Sequence, residues 1–382
     1  MHKTVVSVGL ALGLGLAVLA GPARADIKSF NAAMQKGDYK AAAAEAASTW
    51  PTLNKSRDDL AIIVREFGFA AYLAGDFAAA KTYGEAAVAG SNALGEEPIL
   101  RAGSEVLLRL AEHRLSPSDG TRDVLFSVVE ARSSEPSLDL ISFFAMDAVT
   151  AFDFQKGAWD KAAASAALGE RITRNGGGEY ATMHYRLAQH AVAANYMAKQ
   201  NREAHLKLAG LERRLIEAIA NAPTLEDADA LLPHYYEAGA WEGMARSHLS
   251  NYMRVKDWAA YDADWKAYRE TEVFKAGLAR ISRHKTPNAC SLQLTSQSEM
   301  PDVPVDSRFR DMVGIVVLRL DISATGRSSN PRVVAVAPGK EFGEAILKGF
   351  PAMSFKARKD ASPGCSMAQK GYVLSMIFHI DY

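Results

Sequence analysis

Two hydrophobic periodicities divide this chain. From about residue 28 to residue 281 apolar side chains recur every three or four positions within alanine-rich segments, which predicts amphipathic helices. The clearest cover Ala41–Ala47, Ala78–Ala89, Lys161–Arg171, Glu179–Met197, Arg202–Ala220 and the stretch around Trp258–Ile281. Beyond a Ser-, Gln- and Pro-rich passage from Asn288 to Val305 the period changes to two. In Met312–Ile322 the residues Val316, Leu318, Leu320 and Ile322 share one face, with Arg319 and Asp321 on the other. Two strands joined at Ala324-Thr-Gly326 are expected there, then a short helix over Glu341–Phe350 and the segment Ser354–Arg358. A last strand from Tyr372 to Tyr382 sends Tyr372, Leu374, Met376 and Phe378 one way and Ser375, Ile377, His379 and Asp381 the other.

The helical part repeats itself. Gly37-Asp-Tyr39, Gly75-Asp-Phe77, Gly157-Ala-Trp159 and Gly239-Ala-Trp241 stand 38, 82 and 82 residues apart, a period of about 40 with two degenerate units between. Each follows an apolar helix and precedes an alanine-rich one, so stacked helical hairpins are expected, with the four aromatics in equivalent inter-helix positions. Ser116–Gly120 and Asn175–Gly178 read as loops between helices. The unit Phe67–Ala87, with small residues at Gly68, Ala71, Ala80 and Ala87 and a turn at Gly75-Asp-Phe77, resembles a tetratricopeptide repeat. The resemblance implies a scaffold that holds peptides or proteins.

The end of the chain carries a second likeness. Asp321, Gly326, Asn330-Pro-Arg-Val-Val334, Phe342, Ala345 and Phe355, in that order of elements, resemble the TonB carboxy-terminal domain family, although the proline usual after the aromatic is missing at Phe355-Lys-Ala. Such domains are small binding modules with a three-stranded antiparallel sheet. The expected fold class is therefore an all-α helical-repeat solenoid over 26–285 followed by a small α+β domain over 286–382.

A short basic start at His2 and Lys3, an apolar run over Val5–Leu19 and the small-x-small site Ala23-Arg-Ala25 predict a secretory signal peptide over 1–25, which places the mature chain in the periplasm. Left uncleaved, the same run would anchor a membrane-retained energy transducer for outer-membrane transport, the alternative reading. Basic and acidic residues balance at 44 each, so no global field favours nucleic acid. The two cysteines, Cys290 and Cys365, both lie in or beside the terminal module, and an even pair in an oxidising compartment points to a disulfide.

Catalytic patterns are missing from the sequence. His184 and His190 are six apart on one helix and fall on different faces, and no His-Glu-x-x-His, Gly-x-Ser-x-Gly or phosphate-loop pattern occurs. Pro233-His-Tyr-Tyr236 reads as packing; Asp58-Asp59 and Glu96-Glu97 read as helix-start carboxylates. No cofactor or metal is expected, and the function expected is that of a non-enzymatic adaptor. Its partners would be an envelope protein or peptide, such as an outer-membrane receptor or a peptidoglycan-associated component. The terminal strand, with Ser375, Ile377, His379 and Asp381 outward, is the expected docking edge, unless the Asn288–Val305 segment covers it.

Overall fold

The computed structural model describes residues 27–94, 98–133, 140–174, 181–198, 201–249, 255–283, 286–295, 312–337, 340–348 and 350–380. The expected signal segment, Glu96-Glu97, the glycines at 176–178 and Asp381 lie outside them. The chain divides into two compact units, Met1–Phe152 with Leu168–Tyr180, and Asp153–Ala167 with Ala181–Tyr382. It is mostly helical and ends in a small three-stranded antiparallel sheet.

The first eight helices are α1 (Lys28–Gln35), α2 (Tyr39–Thr49), α3 (Leu60–Ala74), α4 (Phe77–Leu94), α5 (Pro98–Leu115), α6 (Asp119–Ala131), α7 (Leu140–Gln155) and α8 (Trp159–Thr173). Three of the four glycine motifs form the same turn. Gly37, Gly75 and Gly157 take positive φ (68°, 85° and 66°), each at the end of a helix. In each turn the glycine N–H donates three residues back and the next N–H five back, as in Gly75 to Tyr72 and Asp76 to Ala71, at 2.9–3.0 Å. The aromatics Tyr39, Phe77 and Trp159 then open the following helix, all partly buried. Asp38 and Asp76 cap their helices by accepting from Ala41 N (3.1 Å) and Ala79 N (3.0 Å); Ala158 has no oxygen to do so. One degenerate turn is Ser116–Ser118, where Ser118 and Thr121 form a capping box and Gly120 lies inside α6. Within the first unit the small positions allow close approach. A Cβ on Gly68 would stand 2.7 Å from Leu107, and one on Gly84 3.0 Å from the Leu108 backbone. Phe30, Phe67, Tyr83 and Trp50 form an edge-to-face chain beside them.

The fourth motif behaves differently. In the second unit α9 (Ala181–Met197) and α10 (Asn201–Asn221) are followed by α11, a 25-residue helix over Leu225–Leu249 that runs straight through Gly239. Trp241 is fully enclosed within it and is not equivalent to the three turn aromatics. The physical reason is local. Gly239 has helix formers on both sides, and burial of Ala238, Ala240 and Trp241 in one apolar cluster stabilises the continuous helix. The helix expected around Trp258–Ile281 is two helices, α12 (Val255–Arg269) and α13 (Glu272–Ser282), broken where Thr271 caps the second by accepting from Phe274 N.

The first strand is β1 (Leu292–Leu294), and the compact unit continues across the passage from helix to strand. The sheet has the order β3 (Ser328–Ala337), β2 (Met312–Ile322), β5 (Gln369–Ile380), with α14 (Lys340–Lys348) after β3. The strand β4 (Phe355–Ala357) pairs with β1 in a separate ribbon. Both sheet faces are covered, not one. Val316, Leu318, Leu320 and Ile322 pack with Phe342 and Ile346 of α14, while Ile315 and Val317 join Val373 and Ile377 against the α11 cluster. The run Ile315–Leu318 is apolar without alternation, the pattern of a strand buried on both sides. Gly314 admits α14, since a Cβ there would run into the Phe342 ring. Cys290 and Cys365 are disulfide-bonded, with their Cα atoms 4.9 Å apart.

Candidate functional site

Three places in the second unit combine unusual chemistry with defined geometry: the outer edge of β5, a polar layer between α9 and α11, and a depression at the start of α8.

β5 is an edge strand. Its inner side pairs with β2 from Met312↔Ile380 to Leu320↔Tyr372. Just ahead of it, residues 286–290 are stitched to 364–370. Besides the disulfide, Cys290 N donates to Ser366 O (2.9 Å), Ser366 N to Asn288 O (2.8 Å) and Gln369 Nε2 to Cys290 O (2.8 Å). The following Leu292–Leu294 then pairs with β4 rather than β5. The segment expected to cover the edge therefore diverts from it over its described part; residues 296–311 lie outside the described residues. Among the described residues, nothing pairs with the outer side of Tyr372–Ile380.

The residues expected to carry docking separate. Ser375 is exposed opposite Val317. Ile377, opposite Ile315, is partly buried against the α11 cluster. The backbone of His379 pairs with Val313, while its side chain and all of Asp381 lie outside the described residues. The reason for the difference is the second apolar layer, which covers the expected outward face of β5 at Val373 and Ile377 and leaves Ser375 exposed.

The other sheet edge, β3, is built differently. Asn330 takes φ 51°, and Asn330–Pro331 is one residue too many for β2 between Arg319↔Arg332 and Asp321↔Ser329. Across the sheet, Lys370–Gly371 is likewise one residue too many opposite Asp321, with Gly371 at φ 66°. The Asp321 carboxylate meets both irregularities, accepting from Gly371 N (3.0 Å) and from Asn330 Nδ2 (2.9 Å). Those donors, with Arg332 and Lys370 nearby, hold its pKa below the usual carboxylate range.

Comparison with known protein families, curated proteins and solved structures finds no match for this chain.

The polar layer is the feature that sequence reasoning missed. Gln189 of α9, almost fully buried, meets His234 of α11 twice: its Nε2 donates to His234 O (2.6 Å) and its Oε1 lies 2.9 Å from His234 Nδ1. One helical turn on, Glu237 is buried. Burial pushes its pKa up to about 7 against the opposing pull of Trp241 and Arg186. Burial, then the positive charge of Arg186 and the neighbouring His190, lowers His234 to about 4. The available signal was the i, i+3 pair His234 and Glu237 inside an otherwise apolar stripe. His184 and His190 diverge, one against Tyr185 (5.2 Å) and the other against Phe154 (5.8 Å). No group of three metal-ligating side chains converges among the described residues.

The depression has a volume of about 540 Å³ and is lined by Gly157–Lys161 and Met197–Ala198. Trp159 on its wall packs against both apolar clusters. No helix of the described residues is long and apolar enough to cross a membrane.

Proposed function

We propose that this protein is an exported, non-enzymatic adaptor of the bacterial envelope, with a tetratricopeptide-like helical scaffold and a TonB-like terminal module that captures an extended peptide along β5. One observation carries the reading: the two edges of the sheet are treated unequally. β3 is interrupted by a bulge, a proline without a backbone N–H and the neighbouring Arg332, devices that discourage strand addition. β5 from Tyr372 to Ile380 carries no proline and no lysine, arginine or acidic residue. An incoming strand would gain main-chain hydrogen bonds there, and the side chains beside the edge would select among sequences. The three like turns at Gly37, Gly75 and Gly157 support the repeat reading of the helices.

The test uses the full mature chain as bait for cross-linked capture from envelope extract. Ser375→Lys places a charge beside the β5 edge at an exposed position, and Arg332→Ala serves as the β3 control. A partner captured by the wild type and by R332A but lost with S375K is expected. Equal capture by all three would refute β5 as the docking edge. Mass spectrometry of the amino terminus tests export, with a chain beginning at Asp26 as the expected result.

A further inference from the structure

The two faces of β5 bury similar side chains, and this creates a problem of register. Leu374, Met376 and Phe378 lie on the α14 side; Val373 and Ile377 lie on the α11 side. Where one face is polar, a one-residue slip is prohibitively unfavourable because it turns the whole apolar set to water. Here a slip would largely exchange one apolar set for another: Ser375 would enter the packed side, and Leu374 would take its exposed position opposite Val317. Apolar burial alone therefore distinguishes the two registers weakly. The slip is also sterically available. The strand holds a spare residue at Lys370–Gly371, and absorbing it would move 372–380 by one position along β2, bringing Ser375 opposite Val316 in place of Met376.

We infer that Asp321 is the residue that pins this register. It stands on the central strand at the point where both neighbours carry an extra residue, and its two carboxylate oxygens each hold one of them. Oδ1 accepts from the Gly371 N–H, which fixes the β5 bulge in place; Oδ2 accepts from the Asn330 amide, which fixes the β3 bulge. Both bulged residues sit at positive φ, a backbone state that is stable for Gly and Asn and unfavourable for most other residues. A single carboxylate thus ties the two irregularities beside it together, one on each neighbouring strand; a further register shift between β2 and β3, at Val317–Leu318, lies outside its reach. The consequence for recognition rests on the reading of β5 as the docking edge. A one-residue slip would replace every outward backbone donor and acceptor of β5 by those of the alternate residues, so an incoming peptide would meet a different surface. Asp321 is in this sense a positioning residue for specificity, acting through β5.

The test reads the register itself, in the isotope-labelled full chain, by cross-strand proton contacts in solution. The wild type is expected to show Val316–Met376 and Leu318–Leu374 contacts only. Asp321→Asn should behave alike, because its amide can serve both partners once the Asn330 amide turns over. Asp321→Ala should add a second set, with Val316 against Ser375. Should that variant fail to fold, Asp321→Val supplies strand propensity without the hydrogen bonds and is expected to slip in the same way. Native contacts alone in the Ala or Val variant would overturn the assignment, and so would slippage in D321N. The readout needs no partner. Failed capture with a pinned register would therefore count against the docking reading and leave this one standing.

Discussion

Replacing Glu237 by Gln tests the energetics of the layer beneath the sheet. In the folded chain Glu237 titrates near 7, against 4.5 for an ordinary glutamate, with burial as the leading cause. A folded pKa above the unfolded one means that the native state holds its proton more tightly. The associated stability is complete below pH 4.5 and is lost as pH rises through 7. At roughly 1.4 kcal/mol per pH unit the loss is about 3 kcal/mol by pH 8. His234 runs in the opposite sense. Its folded pKa near 4 lies below the ordinary 6.5, so its contribution is complete above 6.5 and is lost as pH falls through 4. That contribution is also at most about 3 kcal/mol, reduced because the ring is partly exposed. Between pH 4.5 and 6.5 the two nearly cancel, and the wild type should have a flat profile there. E237Q removes one side of the balance. It should gain up to about 3 kcal/mol at pH 8, less whatever the Trp241 and Arg186 contacts lose, and it should show the His234 dependence unmasked, with stability falling from pH 6.5 towards 4. Hydrogen exchange of the α11 amides between pH 5 and 8, corrected for intrinsic rates, follows this locally and does not require the two units to unfold together. A variant with the same pH dependence as the wild type would refute the argument.

Three other outcomes follow from the packing. Gly314→Ala forces a methyl into the Phe342 ring and should destabilise the sheet by about 1–3 kcal/mol; combined with Phe342→Leu it should cost less than the sum of the two, measured by urea denaturation. Ala158→Asp should supply the missing cap of α8 and stabilise the second unit by about 1 kcal/mol, and no gain would argue against equivalence with the Asp38 and Asp76 turns. Cys290→Ser with Cys365→Ser opens a 75-residue loop and should remove up to ~4 kcal/mol in the chain-entropy model, read as a lower melting temperature.

Legibility in the sequence followed the range of the interactions. The helices, the strands and the Gly37, Gly75 and Gly157 turns are local, set by periodicity and by one residue that tolerates positive φ. Gly239 carries the same three-residue signature, yet it is helical because tertiary burial of Trp241 outweighs a weak local turn preference. Of the candidate site, the expectation that the terminal strand lies at an edge agrees with the sheet order β3-β2-β5. The burial of Ile377 was not legible, because it depends on α11, a helix about 140 residues earlier in the chain. The Gln189–His234 pair, 45 residues apart, was hidden for the same reason. Asp321 was noticed only as part of a motif; its role needs both neighbouring strands in place.

The two covered faces also restrict how this sheet can meet anything else. A sheet with one solvated face can bind through side chains on that face, but here α14 occupies one and α11 the other. Opening either would expose fully buried residues such as Phe342, Val316 and Val317, each worth roughly 1.5–3 kcal/mol of burial. A partner of ordinary affinity has little free energy to spare for that displacement. What remains to the sheet is its perimeter, where backbone groups can be paired without unpacking anything. On that perimeter β3 is broken by Asn330–Pro331, and the start of β5 is occupied by residues 286–290. The uninterrupted stretch Tyr372–Ile380 is then the part of the described sheet where strand addition meets the least resistance. The register clamp lies at its beginning: Asp321 holds Gly371, the residue between the stitched segment and the free one.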